Sequence, residues 1–224
     1  MIKTTHTIGL FVAVVFFVLI IPIQGAVAYE GHESALWTEV SLRHRVAKKF
    51  DFVTSGYWRF DEFAASTDKV MGQWGVRYRP NKYFRITPGY RQIHDAKKNG
   101  AFELVHRLFV DLSLRKRLKP ISLSYRLRLQ REYEGDKPLQ EDRVRNKLEL
   151  KWGLSSAVKP LISSELYFTQ EDKGWVHTRY RNAVGVEWSL GEHELSLRYL
   201  HNWPVDDVED PLKHILSLGY GFEW

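Results

Sequence analysis

Charged residues recur at every second position through much of this 224-residue chain. In ISLSYRLRLQRE they are Arg126, Arg128 and Glu132, and in VRNKLELKW they are Arg145, Lys147, Glu149 and Lys151. Glu165, Arg179, Arg181, Glu187 and Arg198 continue the pattern toward the C-terminus. Guanidinium and carboxylate groups held on one face can crosslink as ion pairs, each offsetting the other's desolvation. Where cations are in excess, such a face can instead draw anions through a polar channel. Those twelve residues are the candidate lumen-facing set. The same polar face extends N-terminally through Arg43, Arg45, Asp51, Arg59, Arg77, Arg79, Arg85, Arg91, Glu103, Arg107 and Asp111, and ends at Glu223.

Other chemistry is thinner. His94 beside Asp95, His177 near Glu171 and Asp172, and His201 near Asp206 and Asp207 could serve a hydrolase. However, no G-x-S-x-G occurs and no Ser stands at a suitable spacing, so no catalytic residue is assigned. VDDVEDP is acidic enough to attract divalent cations but lacks the spacing of a calcium loop. Cysteine is absent, which excludes disulfides and thiolate metal sites. No Gly-rich phosphate loop is present, and no metal or cofactor is expected. Net charge is +6 with a pI near 9.4. The basic residues alternate with apolar ones rather than clustering, so nucleic acid is not an expected partner.

The apolar half of each segment shows what must position these charges. Ile121, Leu123, Tyr125, Leu127 and Leu129 oppose the first charged set, and Val144, Leu148, Leu150 and Trp152 oppose the second. Strict alternation specifies a strand with one apolar and one polar face. Eleven such segments fall at about 36–46, 50–61, 69–79, 83–93, 102–114, 120–132, 143–154, 158–169, 178–190, 193–202 and 212–224. Their connections alternate between short ones (AKK, PNK, RKRLK, SSAV, GE) and longer ones (EFAAST, HDAKKNGA, YEGDKPLQE, QEDKGWVH, WPVDDVEDP). That is an up-and-down antiparallel meander in one domain, residues 29–224. Because bacterial single-chain barrels normally have even strand numbers, the expectation is 10 to 12 strands.

Mean hydropathy is −0.37, which alone would suit a soluble protein, yet aromatics reach 14%. A soluble lipocalin-like binding barrel in the periplasm would turn the apolar face inward. The segments are about twice the usual strand length of ~5–6 residues, and they match the ~9–11 residues of a membrane-spanning strand. Aromatics gather near both ends, with Trp224, Phe222, Trp188, Trp152, Tyr78, Phe84, Phe50 and Phe52 near the short turns. Trp58, Phe60, Tyr90, Phe102 and Tyr180 lie near the long loops, completing two interfacial girdles. At the N-terminus, Lys3 precedes an apolar run over Ile8–Ile23, followed by Ala26-Val27-Ala28. This reads as a signal peptide over 1–28, cleaved after Ala28, and the chain is expected in the bacterial outer membrane.

The stretches RVRNKLELKW, KPLISSELYF, RYRNAVGVEWSLGEHELSLRYLHNW and KHILSLGYGFEW resemble the Gram-negative family catalogued as domain of unknown function 2490. The resemblance implies a small outer-membrane barrel and no particular activity. The last segment is also similar to the signal that barrel-assembly machinery reads, which would make Leu216, Leu218, Tyr220, Phe222 and Trp224 the recognised positions. Ile215 is the exception in that strand, an apolar residue on the polar face. Expected partners are outer-membrane lipid, lipopolysaccharide and that machinery, with the barrel a monomer. Its expected role is structural or that of a narrow anion-biased channel. An outer-rim lipid-modifying hydrolase and the soluble lipocalin-like binder are the alternatives.

Overall fold

The computed structural model describes residues 32–62, 65–97, 100–135, 140–205 and 212–224. The signal-peptide assignment and most of VDDVEDP, including Asp206 and Asp207, lie outside the described residues. Eleven strands follow in chain order: β1 (His32–Ala47), β2 (Phe50–Asp61), β3 (Ser66–Tyr78), β4 (Phe84–Ala96), β5 (Phe102–Leu118) and β6 (Ile121–Glu134). They continue with β7 (Gln140–Trp152), β8 (Val158–Glu171), β9 (Gly174–Leu190), β10 (His193–Pro204) and β11 (Leu212–Glu223). Each pairs antiparallel with its sequence neighbours, and β1 closes the barrel against β11.

That closing pair is parallel, in register from His32↔Leu212 to Arg43↔Glu223. With an odd number of alternating strands, the first and last necessarily run the same way. The expected purely antiparallel meander is therefore corrected at this seam, where parallel hydrogen bonds slant across the pair. Backbone bonds carry the seam to its lower end, with Trp224 N donating to Arg43 O and Arg45 N donating to Trp224 O, both at 3.0 Å.

Short turns are fixed by local side-chain acceptors. Asn81 Oδ1 takes the N–H groups of Tyr83 and Phe84 at 2.9 Å each, and Ser155 Oγ takes those of Ala157 and Val158. A second correction concerns QEDKGWVH. Rather than a long loop, it is a tight hairpin in which Glu171 pairs with Gly174. Gly174 has φ +119°, a conformation that an L side chain rarely adopts. Its strands continue upward past a bulge at Tyr167/Phe168.

Burial is inverted relative to a water-soluble barrel. Val184 and Ile162 on the outer wall are 58% and 59% exposed, and Leu108, Leu114, Leu129 and Leu148 are also exposed. Asp51, Asp111, Arg128, Arg145, Glu165 and Glu187 are buried inside. A large apolar side chain gains ~1.5–3 kcal/mol on leaving water, so a belt of them requires lipid as its solvent. The inward apolar face of a lipocalin-like binder is thereby excluded. Aromatic contacts run along the belt. Trp74, Tyr90 and His106 stack in sequence across β3, β4 and β5, and Phe222, Trp224 and His44 group near the short turns. The fold and the solvent its wall demands are those of an outer-membrane β-barrel.

Candidate functional site: the charged lumen

The inner wall is polar because alternate residues of every strand point inward. Apolar residues interrupt it in places: Ile215, Ala35, Ala183 and Leu200 pack together, with Trp37 against them, and Met71 and Ile93 line the upper lumen. Ile215 is thus the centre of a small internal cluster bridging β1, β9, β10 and β11.

Most inner charges are paired. Glu165 on β8 accepts from Arg126 at 2.9 Å, from Arg145 at 2.9 Å and from the Tyr167 hydroxyl at 2.9 Å, and Arg181 approaches it to 3.8 Å. Arg128 grips Asp111 through two bonds of 2.6 and 2.7 Å. Glu149 gathers Lys147 at 2.9 Å, Arg198 at 3.4 Å and Lys151 at 3.5 Å, while Glu187 binds Lys151 and lies 3.7 Å from Lys159. Arg107 and Arg143 converge on Glu132 at 2.6 and 3.4 Å. Charge-assisted bonds of this kind fix side chains that would otherwise be free to rotate.

Against that lattice stand Arg59, Arg77, Arg85, Arg91 and Arg115, from β2 through β5. None has an ion pair with a carboxylate among the described residues. Arg59 lies over the Trp37 ring at 4.0 Å, Arg91 over the Tyr57 ring at 4.4 Å, and Arg115 donates to Ser122 Oγ at 3.2 Å. Arg91 also donates to Gln73 Oε1 through Nε at 3.0 Å and Nη2 at 2.5 Å.

These groups line four internal cavities that share walls. An upper cavity of about 310 Å³ near the long loops contains Arg143, Arg179 and Glu132. A central one of about 240 Å³ holds Arg126, Arg128, Arg145, Lys147, Glu165, Arg181 and Arg198. Below it, spaces of about 480 and 270 Å³ open toward the short turns, the smaller of them lined by Glu149 and Lys151. Arg126 is common to the central and both lower cavities, and Trp37, Arg59 and Arg181 separate the upper from the central one. Trp37 sits between two guanidinium groups there, Arg59 at 4.0 Å and Arg181 at 4.8 Å from its ring centre. Trp37, Tyr57, Tyr167 and Glu39 were not among the sequence candidates. For Trp37 and Glu39 the signal exists, since both share the parity of Arg43 and Arg45 in β1.

The histidine–acid combinations lie apart on the wall. His94 neighbours Gln92 on β4, His177 packs against Phe168 and Tyr180 on the β8–β9 hairpin, and His201 packs against Trp203 and His214. The Tyr90 hydroxyl and His106 Nδ1 are 2.5 Å apart, and Tyr199 bonds His214.

Residues 34–209 match the profile of a protein family of unknown function, DUF2490. The chain belongs to that family. No curated protein sequence matches this DUF2490 barrel. Among solved structures it is similar to the NanC porin, at 12% identity and a TM-score of 0.50, over 75% of this chain and 85% of that one. It also aligns with OmpT, an outer membrane protein of Vibrio cholerae, in its in-vitro folded form (TM-score 0.43, 12% identity, 76% and 57% of the two chains). The loop L8 deletion mutant of OmpT gives a TM-score of 0.43 at 12% identity, over 70% of this chain. The chain spans about half, 55%, of that structure's length.

Proposed function

We propose that this DUF2490 barrel is a narrow conduit for small anionic solutes across the outer membrane, with no catalytic role. The observation that carries the reading is the run of carboxylate-free arginines, Arg59, Arg91, Arg77, Arg85 and Arg115, on four consecutive strands. A buried charge without a partner costs several kcal/mol unless water or a counter-ion reaches it, so this wall needs a hydrated, anion-accessible space beside it. Fixed cationic walls bias such a space toward anions. An eleven-stranded barrel is intermediate between eight-stranded barrels filled by side chains and open sixteen-stranded porins, which suits small cavities joined through narrow necks.

In this reading the short turns face the periplasm and the long loops face outward. Lipid and lipopolysaccharide surround a monomer, and Leu216, Leu218, Tyr220, Phe222 and Trp224 present the strand that barrel-assembly machinery recognises. The test is single-channel recording in planar bilayers under a potassium chloride gradient. Discrete current steps with a reversal potential of the sign set by chloride are expected. Bilayers that stay silent despite verified insertion would overturn the conduit and leave a purely structural barrel.

A further inference from the structure

The central cavity has two chemically different sides. On one side Arg59 and Arg91 face it, neither with an ion pair to a carboxylate among the described residues. On the other are Ser163, Ser196, Ser217, Ala183 and Gly219, which are small or hydroxyl-bearing. A Cβ added at Gly219 would lie 2.4 Å from Ser196 Oγ, so the bare backbone there makes room for that hydroxyl.

The charge balance is lopsided. Eight Arg and Lys residues line the cavity, with Glu39 and Glu165 as its only carboxylates. The lining cations also pair with Asp111 and Glu149. Eight cations against these four carboxylates still leave four positive charges. Glu165 is already committed to Arg126, Arg145 and Tyr167. Arg91 is held in place by neutral partners, Gln73 and the Tyr57 ring, which orient its guanidinium without neutralising it. Arg59 is positioned the same way by Trp37. Guanidinium groups positioned but left unneutralised are suited to bind oxyanions, for which their planar fork is matched.

We propose that the central cavity is a selective binding site for a small dianion carrying hydroxyl or ester oxygens, a dicarboxylate or a phosphate monoester. Arg59 and Arg91 each take one negative charge, and Ser163, Ser196 and Ser217 take the remaining oxygens. A volume of about 240 Å³ holds roughly eight waters at ~30 Å³ each, which excludes larger oligomers. Trp37, clamped between Arg59 and Arg181 at the upper neck, sets the entrance from the long-loop side. This inference rests on the conduit reading for how solute arrives, but the site itself is testable without any current.

The test uses the full folded barrel in detergent, with isothermal titration against malate and glycerol phosphate, and acetate at matched ionic strength as the monoanion reference. At least one dianion is expected to bind saturably and about tenfold tighter than acetate, and the two arms separate carboxylate from phosphate preference. Arg59→Gln and Arg91→Gln should each weaken that binding about tenfold, while Arg131→Gln, on the outer wall where the side chain pairs with Asp142, should leave it unchanged. Dianions that bind no better than acetate would overturn the site. Should a Gln variant fail to fold, the wild-type comparison of dianion with acetate decides alone. Tight dianion binding with silent bilayers would sink the conduit and keep the site. Chloride current without dianion preference would do the reverse.

Discussion

The two sides of the lumen solve the same problem differently. On β6 to β10, inward-facing cations are matched to carboxylates, often across non-adjacent strands: Arg126 on β6 with Glu165 on β8, Lys151 on β7 with Glu187 on β9, and Arg198 on β10 with Glu149 on β7. On β2 to β5, Arg59, Arg77, Arg85, Arg91 and Arg115 lack such partners among the described residues. The matched wall holds its cations rigid and internally neutralised. The bare wall leaves these five cations to whatever occupies the lumen, although Lys69 pairs with Asp95 and Arg107 with Glu132 there. Stability therefore resides mainly on one side of the barrel and solute chemistry on the other. This division can be broken from either side.

The largest effect is expected from Glu165→Ala. It strands Arg126, Arg145 and Arg181 at once, turning part of the matched wall into a bare one. Removing one partner of a buried ion pair typically costs ~3–5 kcal/mol. Denaturant unfolding in detergent, followed by heat-modifiable gel mobility, should show a loss in that range. A loss below ~1 kcal/mol would mean that water already solvates the Glu165 cluster, and the contrast between the walls would collapse.

Arg77→Gln combined with Arg85→Gln addresses the opposite wall. Neither side chain gives up an ion pair among the described residues, so stability should move by no more than ~1 kcal/mol. Chloride preference, read from reversal potential, should fall clearly. The sharp outcome is the dissociation: Glu165→Ala destabilises strongly, whereas the arginine pair changes selectivity at nearly constant stability.

How much of this was legible in the chain follows from what alternation encodes. Each of the eleven segments in the sequence corresponds to a strand, because a two-residue period directly reports a two-faced strand. Eleven alternating segments already imply a parallel β1–β11 seam once the meander closes, and only the expectation of an even strand number argues against it. Alternation fails where the period breaks. The bulge at Tyr167/Phe168 shifts register, so β9 begins at Gly174 rather than near 178. Within the lumen, parity shows which charges point inward but not which ones meet. Glu149 and Arg198 are 49 residues and three strands apart, and only barrel curvature brings them to 3.4 Å. The bare arginines were legible as inward-facing cations but not as unpaired ones. Trp37 was missed because aromatics were assigned to the lipid side, although its parity with Glu39 and Arg43 places it inside.

The smallest effect on stability is expected at the seam that joins the two walls. Arg43 and Glu223 meet there at 2.6 Å, but their side chains are 37% and 42% exposed. Arg45 shares the same carboxylate at 3.5 Å. Exposed pairs of this kind contribute ~0–1 kcal/mol, so Glu223→Gln should leave unfolding nearly unchanged. Deleting Trp224 removes the backbone bonds to Arg43 and Arg45 and the aromatic contacts with Phe222 and His44. Each such bond is worth ~0.5–1.5 kcal/mol net. If Trp224 also serves recognition by assembly machinery, its deletion should lower the amount of barrel inserted in cells several-fold, while the fraction refolded in detergent falls only slightly. Equal losses in cells and in detergent would reduce Trp224 to a packing residue of the seam, and the seam's strength would then rest on its backbone ladder alone.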